Sequence, residues 1–312
     1  MDICVWNRCN NRCVMCTNPE GFGDATNSEP YSYENVISRL DNVKQIRPDW
    51  ENEPFCLTGG EPTSHPRFLD IVKELRRKYP KNEVMIASNG RMFAYPQFTK
   101  DFLAYDPFRI EVAVHGSDAR KHDMITRVPG SFDQTMMGLR NILKYKQPWQ
   151  ELEIRVILLK LNLSDVGNII EFISKEFPEV ARVVLIFPEF EGMAGVNKHI
   201  VGVNYRDIKE NVENLVNRWN SDKLEVRLYH FPLCALPPEL WKYTWRTLRE
   251  GEVTFLERCE TCVYKKYCMG VHVEYLAEVG DEEFLPIEKK TVDIEEELDE
   301  KHFKYHPIKD IK

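Results

Sequence analysis

Two groups of cysteines carry the chemistry that can be read directly from this sequence. In the first, Cys9-Asn-Asn-Arg-Cys13-Val-Met-Cys16, the intervening Asn10, Asn11 and Arg12 are polar, so core packing does not account for the thiols. Three thiolates holding a four-iron cluster leave one iron open. An open iron can chelate a small molecule through an amine and a carboxylate. A zinc site is the competing reading; it wants a fourth ligand nearby, and His65 is the nearest histidine in sequence. The second group is Cys234, then Cys259, Cys262 and Cys268. Four thiolates can close one cluster completely, which favours electron transfer over substrate binding, or they can hold one tetrahedral zinc. Cys4 and Cys56 fall within apolar runs, where a buried inert thiol is the ordinary reading. Cys56 shares the strand parity of Thr58, which would also let it face inward as a hydrogen-atom donor.

These residues need a frame. Short β-rich runs at 3–6, 54–58, 84–88, 109–115, 152–159, 183–187 and 225–229 alternate with amphipathic helical patterns at 33–46, 66–78, 132–146, 165–177 and 205–219. That alternation predicts a parallel α/β sheet with helical crossovers, open or closed into a barrel. In such sheets function gathers on loops after the carboxyl ends of the strands, and the first cysteines directly follow the first run. Past Tyr229 the periodicity stops. Residues 230–280 are expected to form a small domain organised by metal, and the charged 281–312 segment a flexible acidic tail.

Composition removes several function classes. No apolar run is long enough to span a membrane, and the first residues lack the pattern of a signal peptide. A cytoplasmic setting is expected, where nine cysteines point to metal or reactive thiols more than to disulfides. Of the formal net charge of −8, residues 281–312 contribute −5 (eleven acids, six lysines), leaving −3 for the body. Nucleic acid is disfavoured, because no basic surface is evident.

The spacing Cys-x3-Cys-x2-Cys after a first strand, followed by Thr58-Gly59-Gly60-Glu61-Pro62 after a second, resembles the radical S-adenosylmethionine (AdoMet) superfamily over residues 1–229. The resemblance implies a partial (β/α)6 TIM-type barrel. In it Cys9, Cys13 and Cys16 would hold a [4Fe–4S] cluster, with AdoMet chelated at the open iron. Gly59, Gly60, Glu61 and Pro62 would then receive the methionine amino group. Ser88 and Asn89 would contact the ribose or carboxylate, His115 would face the same mouth, and Arg155, with Arg127 as its rival, would pair with the carboxylate. Phe187-Pro188-Glu189 would flank the adenine. Reductive cleavage would give a 5′-deoxyadenosyl radical that takes hydrogen from a substrate, with the first electron supplied by a flavodoxin- or ferredoxin-type donor. The second cysteine group resembles the twitch domain, a shortened relative of the SPASM domain, which implies one auxiliary [4Fe–4S] cluster on Cys234, Cys259, Cys262 and Cys268.

A narrower likeness lies in His122-Asp123, Pro129-Gly130-Ser131-Phe132, Gly138-Leu139, Glu153-Ile154-Arg155-Val156 and Pro232-Leu233-Cys234-Ala235-Leu236-Pro237 with Glu239-Leu240-Trp241. These resemble the His-Xaa-Ser system radical AdoMet maturases, departing from them at Arg246–Arg249 and at Met269-Gly270-Val271-His272. The resemblance implies a ribosomally made peptide or protein substrate, cross-linked or epimerised. With eight residues ahead of Cys9, a partner or leader-binding protein is expected to help recruit it. The alternative is small-molecule or cofactor biosynthesis of the molybdenum-cofactor cyclase type, whose C-terminal glycine-rich motif is missing here.

Overall fold

The computed structural model describes residues 1–18, 27–46, 50–248 and 251–293. Eight strands form one sheet in sequential order: β1 Asp2–Trp6, β2 Phe55–Gly59, β3 Val84–Ser88, β4 Arg109–Ala113, β5 Glu151–Ile157, β6 Arg182–Ile186, β7 Glu225–Tyr229 and β8 Thr244–Trp245. Every neighbouring pair is parallel. The end strands β1 and β8 do not pair, so the barrel is open. The expected partial barrel is therefore present, and it runs two strands beyond the six-unit form.

The α-helices are α1 Tyr33–Ile46, α2 Phe68–Lys78, α3 Pro96–Leu103, α4 Ala119–Thr126, α5 Ser131–Tyr145, α6 Val166–Glu176, α7 Gly192–Val196, α8 Lys198–Val201, α9 Tyr205–Trp219 and α10 Val273–Val279, joined by several short 3₁₀ turns and a small antiparallel ribbon of β9 Val253–Thr254 and β10 Val271–His272. The five long periodic patterns fell on α1, α2, α5, α6 and α9. The eight-residue α3 and α4 are about two turns each, too short for a period to stand out.

The two faces of the sheet differ. Ile3, Val5, Leu57, Ile86, Ile110, Val112, Ile154, Val156, Val183, Leu185 and Val226 are buried in the apolar core that the helices cover. The opposite, inward face is charged, because alternate residues of a strand point oppositely. Arg109 and Arg182 meet Glu151 at 2.9 and 2.6 Å, Arg182 meets Glu225 at 3.0 Å, and Arg155 meets Glu111 and Glu153 at 2.8 and 2.9 Å. The floor of the barrel is thus filled by paired charge, not by aliphatic layers.

Residues 281–293, assigned to the tail from the sequence, lie against the body. Phe284 is buried beside Tyr205 and Tyr275, and the Tyr264 hydroxyl accepts from the Thr291 and Val292 amides at 2.6 and 2.8 Å. The rest of that segment, 294–312, lies outside the described residues.

Candidate active site

At the carboxyl ends of the strands is a cavity of about 300 Å³, within the range of small-molecule sites. Cys9, Cys13, Cys16, Gly59, Gly60, Glu61, Ser88, Asn89, His115 and Arg155 all line it. Two expected residues do not. Pro62 is buried at the start of a short 3₁₀ turn, and Arg127 is exposed at the end of α4, in a left-handed conformation with φ of 57°.

The loop bearing the first cysteines is held on three sides. The Arg12 and Val14 amides donate to the carbonyls of Thr126 and Ile125 at the end of α4, both at 2.9 Å. On the far side Met193 N donates to Cys16 O at 2.8 Å and Asn197 Nδ2 to Val14 O at 2.8 Å. Arg91 reaches from β3's loop to Asn11 Oδ1 at 2.7 Å. Asn89 Nδ2 lies 3.9 Å from Cys9 Sγ. Burial pushes the Cys9 thiol up to about 12, with the nearby Glu61 charge adding; it raises Cys13 as well, aided by Cys9 and Cys16. The thiols therefore lie close enough to feel one another, and a metal centre is what would hold them as thiolates. His65, the histidine a zinc reading would draw on, has both ring nitrogens engaged by backbone, at Tyr31 O (3.0 Å) and Arg67 N (2.9 Å).

The two glycines of the second loop are required by a contact within the chain. A Cβ on Gly59 would stand 2.1 Å from Trp6 O, and one on Gly60 2.4 Å from Arg8 O. Gly60 N and Glu61 N donate to those same carbonyls at 2.7 and 2.8 Å. Close approach was expected toward a ligand; it is made first toward the strand that leads into the cysteines. Glu61 is fully buried. Its carboxylate accepts from Thr63 N (3.1 Å), Ser88 Oγ (2.9 Å), Asn89 N (2.7 Å) and the Thr63 hydroxyl. Four donors nearly fill a carboxylate's capacity, so Glu61 ties the β2 and β3 loops together at the cavity wall.

Arg155 reaches the cavity while held between Glu111 and Glu153. His115 is kept neutral by burial, depressed to about 3 with His122 adding, and its Nδ1 has no partner. Thr247, beyond β8, is a lining residue that sequence reading did not single out; it is 3% exposed and its hydroxyl also lacks a partner. Orphaned buried polar atoms on a cavity wall, beside three converging thiols, fit a polar ligand and a metal centre. Phe187, Pro188 and Glu189 line the same space. Cys56 does point inward, but it is sealed below the cavity, 3.9 Å from Glu111 Oε2.

The second cysteine group surrounds its own small cavity, lined by Cys234, Cys259, Cys262 and Cys268. Cys234 is pushed up to about 12 by burial, then by the charges of Cys268, Cys259 and Cys262. The amides of Leu233 and Gly270 donate to Cys268 Sγ at 3.4 and 3.5 Å, an environment suited to a thiolate.

The pattern of the radical SAM superfamily matches residues 3–173, more than half of the 312-residue chain. The chain belongs to that superfamily. Cys9, Cys13, Cys16 and the Gly59–Gly60–Glu61 loop all fall within the matched residues. A probable GTP 3′,8-cyclase of Sulfurisphaera tokodaii is 26% identical over 223 residues, covering 72% of this chain and 64% of that protein. Streptococcus suis SuiB, solved bound to precursor peptide SuiA, shares the fold with a TM-score of 0.53 and 14% identity, over 77% of this chain and 50% of its own. Native anSMEcpe with bound AdoMet gives a TM-score of 0.55 and 19% identity, over 72% of this chain and 63% of its own. The radical SAM chain thus spans between half and two thirds of these relatives. Among its described residues no helix is long and apolar enough to cross a membrane.

Proposed function

We propose that this radical SAM enzyme modifies a peptide or protein, removing a hydrogen atom from it and leaving an oxidative cross-link or an epimerised centre. The observation that carries the reading is the convergence of Cys9, Cys13 and Cys16 with the Gly59–Gly60–Glu61 loop on a cavity that adjoins an open surface cleft of about 510 Å³. Thr17 lines both spaces, so a chain lying in the cleft passes beside the cysteine loop.

In this reading Cys9, Cys13 and Cys16 hold the cluster. When bound, the cluster and AdoMet supply a 5′-deoxyadenosyl radical that abstracts hydrogen; the residues of this chain position and shield it. The carbonyls of Gly59 and Gly60 receive the methionine amine, Glu61 and Pro62 shape that loop, and Ser88, Asn89 and His115 stand along the rest of the ligand. Arg155 is better placed than Arg127 for the methionine carboxylate, since it reaches the cavity, although two glutamates already share its guanidinium. Cys234, Cys259, Cys262 and Cys268 would hold an auxiliary cluster, which would supply an acceptor for an electron from the substrate.

For the auxiliary site a cluster is favoured over zinc by the likeness of the spacing of Cys234, Cys259, Cys262 and Cys268 to the twitch domain. Reduction by a flavodoxin- or ferredoxin-type protein, and help from a partner or leader-binding protein, complete the proposal.

The likeness to a GTP 3′,8-cyclase favours a second reading, a small nucleotide substrate. Against it, the arginine that lines the inner cavity, Arg155, is locked between two carboxylates, leaving poor provision for a triphosphate. The test is anaerobic turnover with AdoMet and dithionite, offering GTP or synthetic peptides encoded beside this gene. A mass change in a peptide together with 5′-deoxyadenosine supports the proposal. GTP consumed while every peptide stays unchanged refutes it.

A further inference from the structure

One cation beside the first cysteine loop is held by neutral groups, and no role assigned above uses its charge. Arg91 follows Ser88-Asn89-Gly90 at the end of β3. Gly90 turns the chain there with φ of 79°, and a Cβ on it would meet Val112 at 2.7 Å. Gly138 lets α5 close on this turn, since a Cβ at that position would stand 2.2 Å from Gly90 O. Gln134, four residues earlier on the same face of α5, is thereby brought to the corner.

The guanidinium of Arg91 spans that corner. Its Nε donates to Gln134 Oε1 at 2.6 Å, and its Nη1 donates to Asn11 Oδ1 at 2.7 Å and to the Asn10 carbonyl. Asn10 and Asn11 lie between Cys9 and Cys13, and Asn11 N stands 3.3 Å from Cys9 Sγ. Among the described residues no carboxylate pairs with Arg91. A glutamate is the ordinary partner for an arginine fork; the Gln134 amide keeps the bond and leaves the charge uncancelled. Arg8 and Arg12, on the loop itself, are exposed, whereas Arg91 is half-buried and less screened by solvent. Arg91 does not line the inner cavity, so it stands apart from the residues assigned to AdoMet. Burial, Cys9 and Cys16 raise the Cys13 thiol, and Arg91 pulls against them.

We infer that Arg91, left uncancelled by Gln134, raises the reduction potential of the cluster on Cys9, Cys13 and Cys16 and so favours the one-electron reduction on which AdoMet cleavage depends. Three thiolates outweigh the charge of an iron–sulfur core, and an added electron makes the centre more negative still. A fixed cation nearby therefore stabilises the reduced form more than the oxidised one. The electron enters from the external donor; Arg91 exchanges none and keeps its protons throughout. The inference rests on the three cysteines holding the cluster, and not on the identity of the substrate.

The test poises the anaerobically reconstituted full chain at a series of potentials. The first cluster is followed by electron paramagnetic resonance, as the signal that added AdoMet perturbs. Arg91→Gln keeps a donor and removes the charge; it should make reduction at least about tenfold less favourable, a midpoint about 59 mV more negative. Arg91→Lys should restore most of that difference. Gln134→Glu leaves the arginine in place and supplies the missing carboxylate, and its midpoint should fall as well. Should Arg91→Gln lose iron, Gln134→Glu decides alone. A midpoint unmoved by Gln134→Glu overturns the inference. An equal fall in Arg91→Lys and Arg91→Gln also overturns it, because the geometry of the fork would then be the cause. So does weakened AdoMet binding, read by calorimetry, with the midpoint unmoved, which would make Arg91 a ligand contact. A wild type with no AdoMet-sensitive signal would overturn the assignment of the three cysteines and this inference with it.

Discussion

At the scale of single residues, the cysteines and the Gly-Gly-Glu run were legible because their types and spacing have few other uses. Their neighbours were less so. The sequence suggests that Gly59 and Gly60 yield room to a ligand, whereas the space they give up is taken by the carbonyls of Trp6 and Arg8, a contact that depends on the pairing of β1 with β2. Thr247 stood out only as part of the Arg246–Arg249 departure and not as a site residue, since a lone threonine after a two-residue strand resembles any loop residue. Arg155 was read as a ligand for AdoMet, and it proves also to be the cation between two buried carboxylates. Removing one partner of a buried ionic set leaves uncompensated charge and costs on the order of 3–5 kcal/mol. Arg155→Ala is therefore expected to lower the denaturant midpoint sharply, beyond any change in AdoMet affinity. An unchanged midpoint with weakened AdoMet binding would show that the ion pairs contribute little.

At the scale of elements, the His122-Asp123 and Pro129–Phe132 matches acquire a physical meaning. Asp123, on α4, accepts from Gly130 N at 2.6 Å, Ser131 Oγ at 2.7 Å and Phe132 N at 2.8 Å, so it caps α5 and fixes the α4–α5 corner. The end of α4 in turn holds the Arg12 and Val14 amides of the cysteine loop. Asp123→Ala should cost about 1–2 kcal/mol, as lost helix caps do. It should also speed the loss of iron to a chelator; iron release at the native rate would separate the corner from the loop. The inner face of the sheet gives a pH test. Burial raises Glu111 from 4.5 to about 7, against the pull of Arg155. A carboxyl raised on folding stabilises the native state below its unfolded value and loses that contribution as pH rises through the folded one. Stability relative to Glu111→Gln should thus fall by on the order of 3 kcal/mol between about pH 4.5 and 7, measured by denaturation. Glu151, lowered to about 2 among arginines, acts oppositely and below that window. A flat difference would mean that Glu111 stays ionised throughout. Strands were visible in the sequence from their apolar halves; the charged halves, such as Glu151-Leu-Glu153-Ile-Arg155, read as ordinary solvent-facing alternation, because pairing across strands cannot be seen in one strand.

At the scale of the whole molecule, an open parallel sheet places the ends of eight strands around one cavity, and a cysteine-bearing region after β7 stands beside it with thiols of its own. The alternation of elements made the sheet legible. The return of residues 281–293 to the body was hidden by their charge, since one buried side chain, Phe284, does much of the anchoring. The account stands on the claim that Cys9, Cys13 and Cys16 are where AdoMet is cleaved. The most direct measurement replaces all three with alanine, reconstitutes the chain anaerobically beside the wild type, and assays iron and 5′-deoxyadenosine under dithionite. The wild type should hold about eight irons as two four-iron clusters, and the triple variant about four, with no 5′-deoxyadenosine formed. A triple variant that still cleaves AdoMet would contradict the account.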